Sequence, residues 1–239
     1  MDKMREAVIR ENYEIVMEKI EAAKARANVK SSGVTLLAAT KTVPAEEILF
    51  AVNELRLPAI GENKVQEFLS KYEEIKNTVP LHIIGHLQTN KVKSIVGKVD
   101  MIQSCDSLRL AEEIAKRSRD AGVVTKVLCE INIGKEENKS GVMPEECEEF
   151  LGRLYEIDGI EVAGLMTMAP VCETKDEYKK YFEKTYAIYL DFLRNKRHNK
   201  IESILSMGMS DSFEAAIEEG ATMVRVGSSI FGARIYPEK

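Results

Sequence analysis

The chain has 239 residues, 44% of them hydrophobic and 31% charged, which is typical of a folded globular protein and excludes a disordered chain. Its formal charge of −5 argues against nonspecific binding to nucleic acid or to an anionic membrane surface. The charged N-terminal segment argues against a signal peptide and no apolar run could span a bilayer, so we expect a cytoplasmic protein.

The first predicted element is a helix, because apolar residues recur at spacings of three and four between Ile9 and Ala23. The continuous apolar run Val34–Thr40 is typical of a strand buried on both faces, and Pro44 follows where a helix can begin. Further predicted strands are Pro58–Gly61, Leu81–Gly85, Met101–Ser104, Lys126–Asn132, Glu161–Met166, Ile201–Ser206 and Met223–Gly227. Further predicted helices are Lys64–Lys76, Asn90–Val96, Leu108–Ala121, Glu145–Leu154, Lys175–Leu193 and Phe213–Glu219.

Several residues predict where helices begin and end. Gly122 and Gly220 stand where C-terminal caps belong. Asp211 and Glu214 have the spacing of a capping box at the start of the last predicted helix.

Eight predicted strands alternating with helices predict an α/β fold, a (β/α)₈ TIM barrel with an extra N-terminal helix. The main competitor is an open doubly wound sheet, which usually has fewer strands and a glycine-rich fingerprint after the first strand. Here the first strand ends in Ala39-Thr40-Lys41, without glycine. Because no linker or shift in composition divides the chain, we predict one domain over residues 1–239.

Chemistry in such a barrel gathers at the C-terminal ends of the strands, and the first strand ends at Lys41. Desolvation there would lower the pKa of the ammonium group and favour the neutral amine that a Schiff base requires. The alternative is a common lysine that extends past the rim of the barrel into water.

The last two predicted strands indicate a phosphate site. Ser210 precedes a predicted helix, and Gly227 and Ser228 follow the last strand, which are the places where barrels often bind phosphate. The alternative is that these residues only form turns and caps. Arg225 lies between apolar residues and needs a buried partner, either a carboxylate or a ligand atom.

A lysine and a phosphate site in one pocket suggest pyridoxal 5′-phosphate (PLP), and equally a sugar phosphate on an aldolase-like lysine. Metal chemistry is not predicted, because His82 and His86 would lie too far apart on a strand to bind one ion. We expect His82 to face the barrel or the core and His198 to lie at the surface.

Glu62 and Glu130 are isolated acids. The cysteines lack the spacing of a zinc site or a disulfide framework and are expected to be reduced; they are Cys105, Cys129, Cys147 and Cys172.

Six segments spread over nearly the whole chain carry a family resemblance. They are Ala38–Thr42, Gly61–Asn63, His82–Lys91, Gly164–Met168, Ser206–Asp211 and Val224–Gly232. Together and in this order they resemble the pyridoxal phosphate homeostasis family, which is related to the N-terminal barrel domain of bacterial alanine racemases. Six motifs in order are far more specific than any one of them.

The resemblance implies the alanine racemase N-terminal fold (PLP fold type III) and PLP held as an internal aldimine on Lys41. It also implies a cofactor-binding set that divides by the part of PLP that each residue would touch. Ser210, Gly227 and Ser228 would hold the phosphate, and Arg225 would face the pyridine nitrogen. Asn63 would lie beside the ring and its phenolic oxygen, and Ser206 and Met168 would line the pocket.

An arginine at the pyridine nitrogen has a chemical consequence. A guanidinium does not give up its proton, so the ring nitrogen stays unprotonated and PLP becomes a poorer electron sink. Racemases with this arginine also use a tyrosine from a second domain of a neighbouring subunit, and we expect no such domain after the barrel, which ends at Lys239.

These points predict a non-catalytic protein that binds, buffers and supplies PLP, with weak racemase activity left open. We expect a monomer, with PLP-dependent apo-enzymes as acceptors of the cofactor. One alternative is a small PLP-dependent amino-acid racemase or decarboxylase. Another is a cofactor-free sugar-phosphate lyase or isomerase that uses Lys41 to form a Schiff base.

Overall fold

A computed structural model describes residues 1–27, 33–195 and 203–232 of the chain. Within these residues, eight parallel strands form a closed barrel in chain order, as the sequence predicts. The strands are β1 (Thr35–Ala39), β2 (Ala59–Glu62), β3 (Leu81–Ile83), β4 (Met101–Cys105), β5 (Thr125–Ile131), β6 (Ile160–Thr167), β7 (Ile204–Ser206) and β8 (Met223–Val226).

Helices surround the barrel, and none in the described part of the chain is long and apolar enough to cross a membrane. Two short 3₁₀ helices cover Thr89–Ser94 and Pro144–Glu146. The α-helices are α1 (Lys3–Arg26), α2 (Ala45–Leu55), α3 (Val65–Ile75), α4 (Leu108–Asp120), α5 (Cys147–Leu154), α6 (Lys175–Asn195), α7 (Phe213–Glu218) and α8 (Ser228–Phe231).

The strands are apolar on both faces because each face packs against a different layer. In β1, Leu36 and Ala38 belong to the large core between the barrel and the helices, while Leu37 packs inside the barrel. This two-sided burial explains why the sequence of β1 is a continuous apolar run and does not alternate. Hydrogen bonding between β1 and β8, with Ala38 opposite Val226, closes the barrel.

The structure corrects two local predictions. The predicted helix Asn90–Val96 is the 3₁₀ helix Thr89–Ser94, in which the Ser94 hydroxyl donates to the Lys91 carbonyl at 2.6 Å and competes with α-helical hydrogen bonding. The predicted capping box does not form. Helix α7 begins one residue later than the box requires, with Ser212 as its N-cap in place of Asp211, and Glu214 pairs with Arg26 at 2.8 Å.

Other local predictions have mixed outcomes. Gly122 and Gly220 both follow helix ends with positive φ, as expected of C-terminal caps. The predicted start of strand seven, residues 201–202, lies outside the described residues, as does His198.

The extra N-terminal helix packs against the helices α2, α7 and α8. Its apolar stripe, including Ile9 and Ile20, is fully buried. Arg5 donates to the Phe231 carbonyl at 2.7 Å, and Asn12 donates to the Ile230 carbonyl at 3.1 Å. These two carbonyls lie in the last turn of α8. A helix C-terminus leaves such acceptors without intrahelical partners, and the side chains of α1 supply the missing donors.

A buried carboxylate ties together three helices. Glu218 on α7 contacts Arg26 of α1 at 2.7 Å and Lys175 and Lys179 of α6 at 2.7 and 2.8 Å. Burial by itself would raise the pKa of Glu218, but the hydrogen bonds from these three cations outweigh burial and lower the pKa to about 2.

We predict that Glu218→Gln destabilises the protein at pH 7 by about 1–2 kcal/mol, because it removes the charge that three cations share. The unfolded carboxyl titrates near its ordinary pKa, and the folded one near 2. The difference in free energy of unfolding between the wild type and Glu218→Gln should therefore be largest above about pH 5, and it should shrink as the pH falls toward 2. Urea unfolding across this range measures it, with Glu74→Gln on the exposed face of α3 as the control. A constant difference at all pH values would contradict the prediction.

Candidate functional site

A cavity of about 590 Å³ opens at the C-terminal ends of the strands. All of the predicted site residues except Ser206 line it: Lys41, Asn63, Met168, Ser210, Arg225, Gly227 and Ser228. The sequence patterns do not predict that helix α1 and the start of α2 also line this cavity. There Arg5 pairs with Glu47 through contacts of 2.9 and 2.6 Å.

Lys41 lies in a tight turn just beyond β1. Its side chain is half-buried on the cavity wall. The next residue, Thr42, has φ 64°, a left-handed conformation that costs a β-branched residue energy. The Val43 amide closes the turn by donating to the Thr40 carbonyl at 3.0 Å.

Behind this turn lies a buried ion cluster. The ammonium of Lys71 on α3 donates to the Thr40 carbonyl at 3.0 Å, to Glu62 at 2.8 Å and to Glu67 at 2.9 Å. Glu67 also accepts a hydrogen bond from the Thr42 amide. Burial raises the pKa of Glu62, while the charge of Lys71 and the hydrogen bonds from Lys71 and Thr40 oppose that shift.

On the other side of the cavity, two hydroxyls and an amide converge. The Gly227 amide donates to Ser210 Oγ at 3.3 Å, and the Ser228 hydroxyl lies 3.1 Å from the same oxygen. A Cβ atom at position 227 would come within 2.7 Å of the Ala39 carbonyl, so only glycine lets this turn pack against the end of β1. Hydroxyl and amide donors in this arrangement suit an anion.

Arg225 enters the cavity from inside the barrel and is nearly fully buried. Its guanidinium donates to Ser206 Oγ and to the Thr167 carbonyl, both at 2.7 Å. Burial lowers the pKa of Arg225 to about 10, against the opposing charge of Glu130, so the group remains cationic at neutral pH. The partners of Arg225 are thus mainly neutral oxygens and not an ion-paired carboxylate.

Ser206 lies behind Arg225 and not on the cavity wall, because its hydroxyl is used within the barrel. It accepts from Arg225 and donates to Gln103 Oε1 at 2.7 Å. The Gln103 amide nitrogen lies 2.9 Å from His82 Nδ1. Burial lowers the pKa of His82 to about 4, and His82 lies inside the barrel, as the sequence predicts.

Asn63 is held close to the end of β3. A Cβ atom at position 85 would lie 2.4 Å from the Asn63 carbonyl, so the glycine there permits this approach. Within the described residues, the buried Asn63 Oδ1 has no hydrogen-bond partner. As an amide oxygen, it can accept a hydrogen bond from a donor group of a ligand.

The sequence contains a signal for the ion cluster. Lys71 falls on the same helical face as Phe68 and Ile75, and a lysine on an apolar stripe needs a buried partner. Glu62 is therefore not an isolated acid. The cysteines include one unexpected contact, since Cys129 Sγ lies 4.0 Å from Cys147 Sγ as a pair of buried thiols.

Comparisons with known proteins agree with this geometry. Residues 5–235 match the family described as alanine racemase, N-terminal domain. A pyridoxal phosphate homeostasis protein from Aquifex aeolicus is 45% identical over 222 residues, which cover 92% of this chain and 96% of that protein. The crystal structure of an unknown protein from Bifidobacterium adolescentis has a TM-score of 0.90 at 34% identity and covers 97% of each chain. PipY from Synechococcus elongatus, solved with PLP bound, has a TM-score of 0.76 at 29% identity over 90% of this chain and 99% of PipY.

Glu130 on β5 generates a prediction about stability. Its Oε2 atom is buried without a hydrogen-bond partner among the described residues. Burial, together with the charge of Asp106 and against that of Arg225, raises the pKa of Glu130 to about 7.

Because the folded pKa lies above the unfolded one, the wild type should lose stability as the pH rises from about 4.5 to 7. Glu130→Gln removes this titration. We expect the variant to gain about 1–3 kcal/mol relative to the wild type over this interval, as measured by urea unfolding at several pH values. A relative stability that does not change with pH would show that Glu130 ionises normally in the folded protein.

Proposed function

The chain belongs to the pyridoxal phosphate homeostasis family, with the barrel of the alanine racemase N-terminal domain, and from this premise we propose that it binds, buffers and supplies PLP. The single observation that carries the proposal is one cavity that brings a lysine amine, an anion cradle and a buried guanidinium together. The names of its relatives point to the same cofactor.

We propose that Lys41 binds the carbonyl carbon of PLP. When bound, PLP would supply an aldehyde to the neutral Lys41 amine. Reversible condensation would replace the carbon–oxygen double bond by a carbon–nitrogen double bond, and the oxygen would leave as water with both amine protons. Because another amine can reverse the condensation, attachment through Lys41 is compatible with storage and release.

The residues around Lys41 fit the other parts of PLP. Ser210, Ser228 and the Gly227 amide would bind the phosphate through their converging hydroxyl and N–H groups. Asn63 Oδ1, buried without a partner among the described residues, would accept a hydrogen bond from a donor group beside the ring. Met168 would provide an apolar wall.

Arg225 would orient and tune the pyridine ring. Its contacts to Ser206 and Thr167 use two of the five guanidinium N–H groups, which leaves donors that can face the cavity. Because the group stays charged at neutral pH, it would donate to the ring nitrogen and keep that nitrogen unprotonated. This pairing weakens carbanion chemistry and favours a carrier over an efficient racemase.

The cavity wall supports the same choice. A racemase needs acid–base groups on both sides of its substrate, supplied by histidine, carboxylates, lysine, tyrosine or cysteine. In the part of the chain that the structure describes, the cavity is lined by no tyrosine, histidine or cysteine, and besides Lys41 its acid–base groups are Asp211 and Glu47, which is paired with Arg5. We therefore propose a protein with little or no turnover. We also propose that it acts as a monomer in the cytoplasm and passes PLP to apo-enzymes.

We predict that Lys41→Ala abolishes covalent attachment of PLP and leaves the fold intact. The residue lies beyond β1 and is only half-buried, so the loss of stability should be about 1 kcal/mol or less. Borohydride treatment of PLP-soaked protein, followed by peptide mass mapping, measures the attachment, and circular dichroism measures the fold. Lys64→Ala, at an exposed lysine near the site, should label like the wild type. An adduct on a different lysine, with Lys41 unmodified in the wild type, would refute the assignment.

We further predict that the PLP-loaded protein turns over L- and D-amino acids far more slowly than ordinary enzymes, below about 1 s⁻¹. A panel of both enantiomers, assayed by chiral chromatography with an alanine racemase as the positive control, measures this rate. Turnover on the order of 1–10³ s⁻¹ would favour the racemase alternative instead.

A further inference from the structure

The turn that carries Lys41 is strained and is held from outside the cavity. Thr42 has φ 64°, although threonine is β-branched and such residues rarely adopt left-handed backbone. Strain of this kind persists only where the surroundings fix the backbone. The residues on either side of Lys41 must therefore be restrained by other parts of the protein.

The Lys71 cluster supplies the restraint on both sides. Before Lys41, the Thr40 carbonyl accepts from the Lys71 ammonium at 3.0 Å, and the Thr40 hydroxyl donates to Glu62 at 2.8 Å. After Lys41, the Thr42 amide donates to Glu67, which itself accepts from Lys71 at 2.9 Å. Lys71 therefore links, directly or through one carboxylate, the two residues that flank Lys41.

Support of the fold alone does not account for this cluster well. Lys71 is 9% exposed and Glu62 is 1% exposed, so both groups lose hydration when the protein folds. Buried ion pairs often contribute no more to stability than apolar residues of similar volume. The distinctive property of this cluster is that its hydrogen bonds end on the backbone of the turn that presents Lys41.

We propose that Lys71 is a positioning residue that fixes the Lys41 turn in the conformation from which the Lys41 amine reaches the PLP aldehyde. The inference rests on the proposed function and deepens it, because it assigns control of the covalent step to a residue that does not line the cavity. Displacement of a reacting group by about 1 Å can slow a reaction about 100-fold.

The test separates covalent attachment from simple binding. The Lys71→Met variant keeps the length of the side chain and removes its charge. Two probes are compared: PLP, whose rate of attachment to Lys41 is followed by absorbance and borohydride trapping, and pyridoxine 5′-phosphate, which has the ring and the phosphate but no aldehyde. We expect attachment of PLP to slow about tenfold or more, while the Kd for pyridoxine 5′-phosphate changes less than about twofold.

Matched variants guard against trivial explanations. Lys76→Met removes a lysine that follows α3 and pairs only with Glu73 among the contacts described, and it should behave like the wild type with both probes. If Lys71→Met leaves Glu62 as an uncompensated buried charge and fails to fold, the double variant Lys71→Met/Glu62→Gln removes that charge and is measured in the same way.

The outcomes distinguish this inference from the proposed function. If the wild type attaches no PLP at all, the proposed function itself fails. Attachment by Lys71→Met at the wild-type rate would overturn the positioning role and leave the function standing. Equal weakening with both probes, or failure of both Lys71 variants to fold, would make Lys71 a structural residue and would also overturn the inference.

Discussion

The hydrogen bonds between β1 and β8 are the constraint on which the site depends. They close the barrel and place Ala38 opposite Val226, so the strand that leads to Lys41 ends beside the strand that leads to Gly227 and Ser228. Residues from opposite ends of the described chain become neighbours across one cavity. The absence of a side chain at Gly227 lets the two strand ends approach, because any Cβ there would collide with the Ala39 carbonyl. The Lys41 amine shares a pocket with the hydroxyl and amide groups of Ser210, Gly227 and Ser228 because the sheet closes.

Two buried cations support this arrangement from different layers. Arg225 lies inside the barrel and donates to the Thr167 carbonyl, and Lys71 lies between the barrel and α3 and donates to the Thr40 carbonyl. Each carbonyl belongs to the C-terminal end of a strand, where the ladder of backbone hydrogen bonds is ending and acceptors need other partners. The two cations donate hydrogen bonds to these carbonyls and thereby also hold the strand ends that carry the site. Arg225 reaches the cavity itself, whereas Lys71 acts on the turn behind it.

The sequence predicted the architecture well because hydrophobic periodicity follows directly from which faces are buried. The eight strands and the N-terminal helix were predicted in this way, and the positions of Lys41, Ser210 and Gly227 at strand ends followed from the barrel. The direction and partners of single side chains were harder to predict. Ser206 was expected on the pocket wall, but it turns to Arg225 and Gln103 because a buried guanidinium requires acceptors. Asp211 and Glu214 had the spacing of a capping box, yet the Glu214 carboxylate pairs with Arg26, which is distant in sequence.

The hydrogen bonds that run inward from Arg225 have a fixed direction. A guanidinium can only donate, so Ser206 Oγ must accept from it, and the Ser206 hydroxyl donates its own hydrogen bond to Gln103 Oε1, which leaves the Gln103 amide nitrogen to donate. The last acceptor is His82 Nδ1, and this ring is neutral near pH 7 because burial lowers its pKa to about 4. The single imidazole proton must then reside on Nε2. The cation that faces the cavity thus selects the tautomer of a histidine on the far side of the barrel interior, through three links that cannot reverse while the guanidinium keeps its charge.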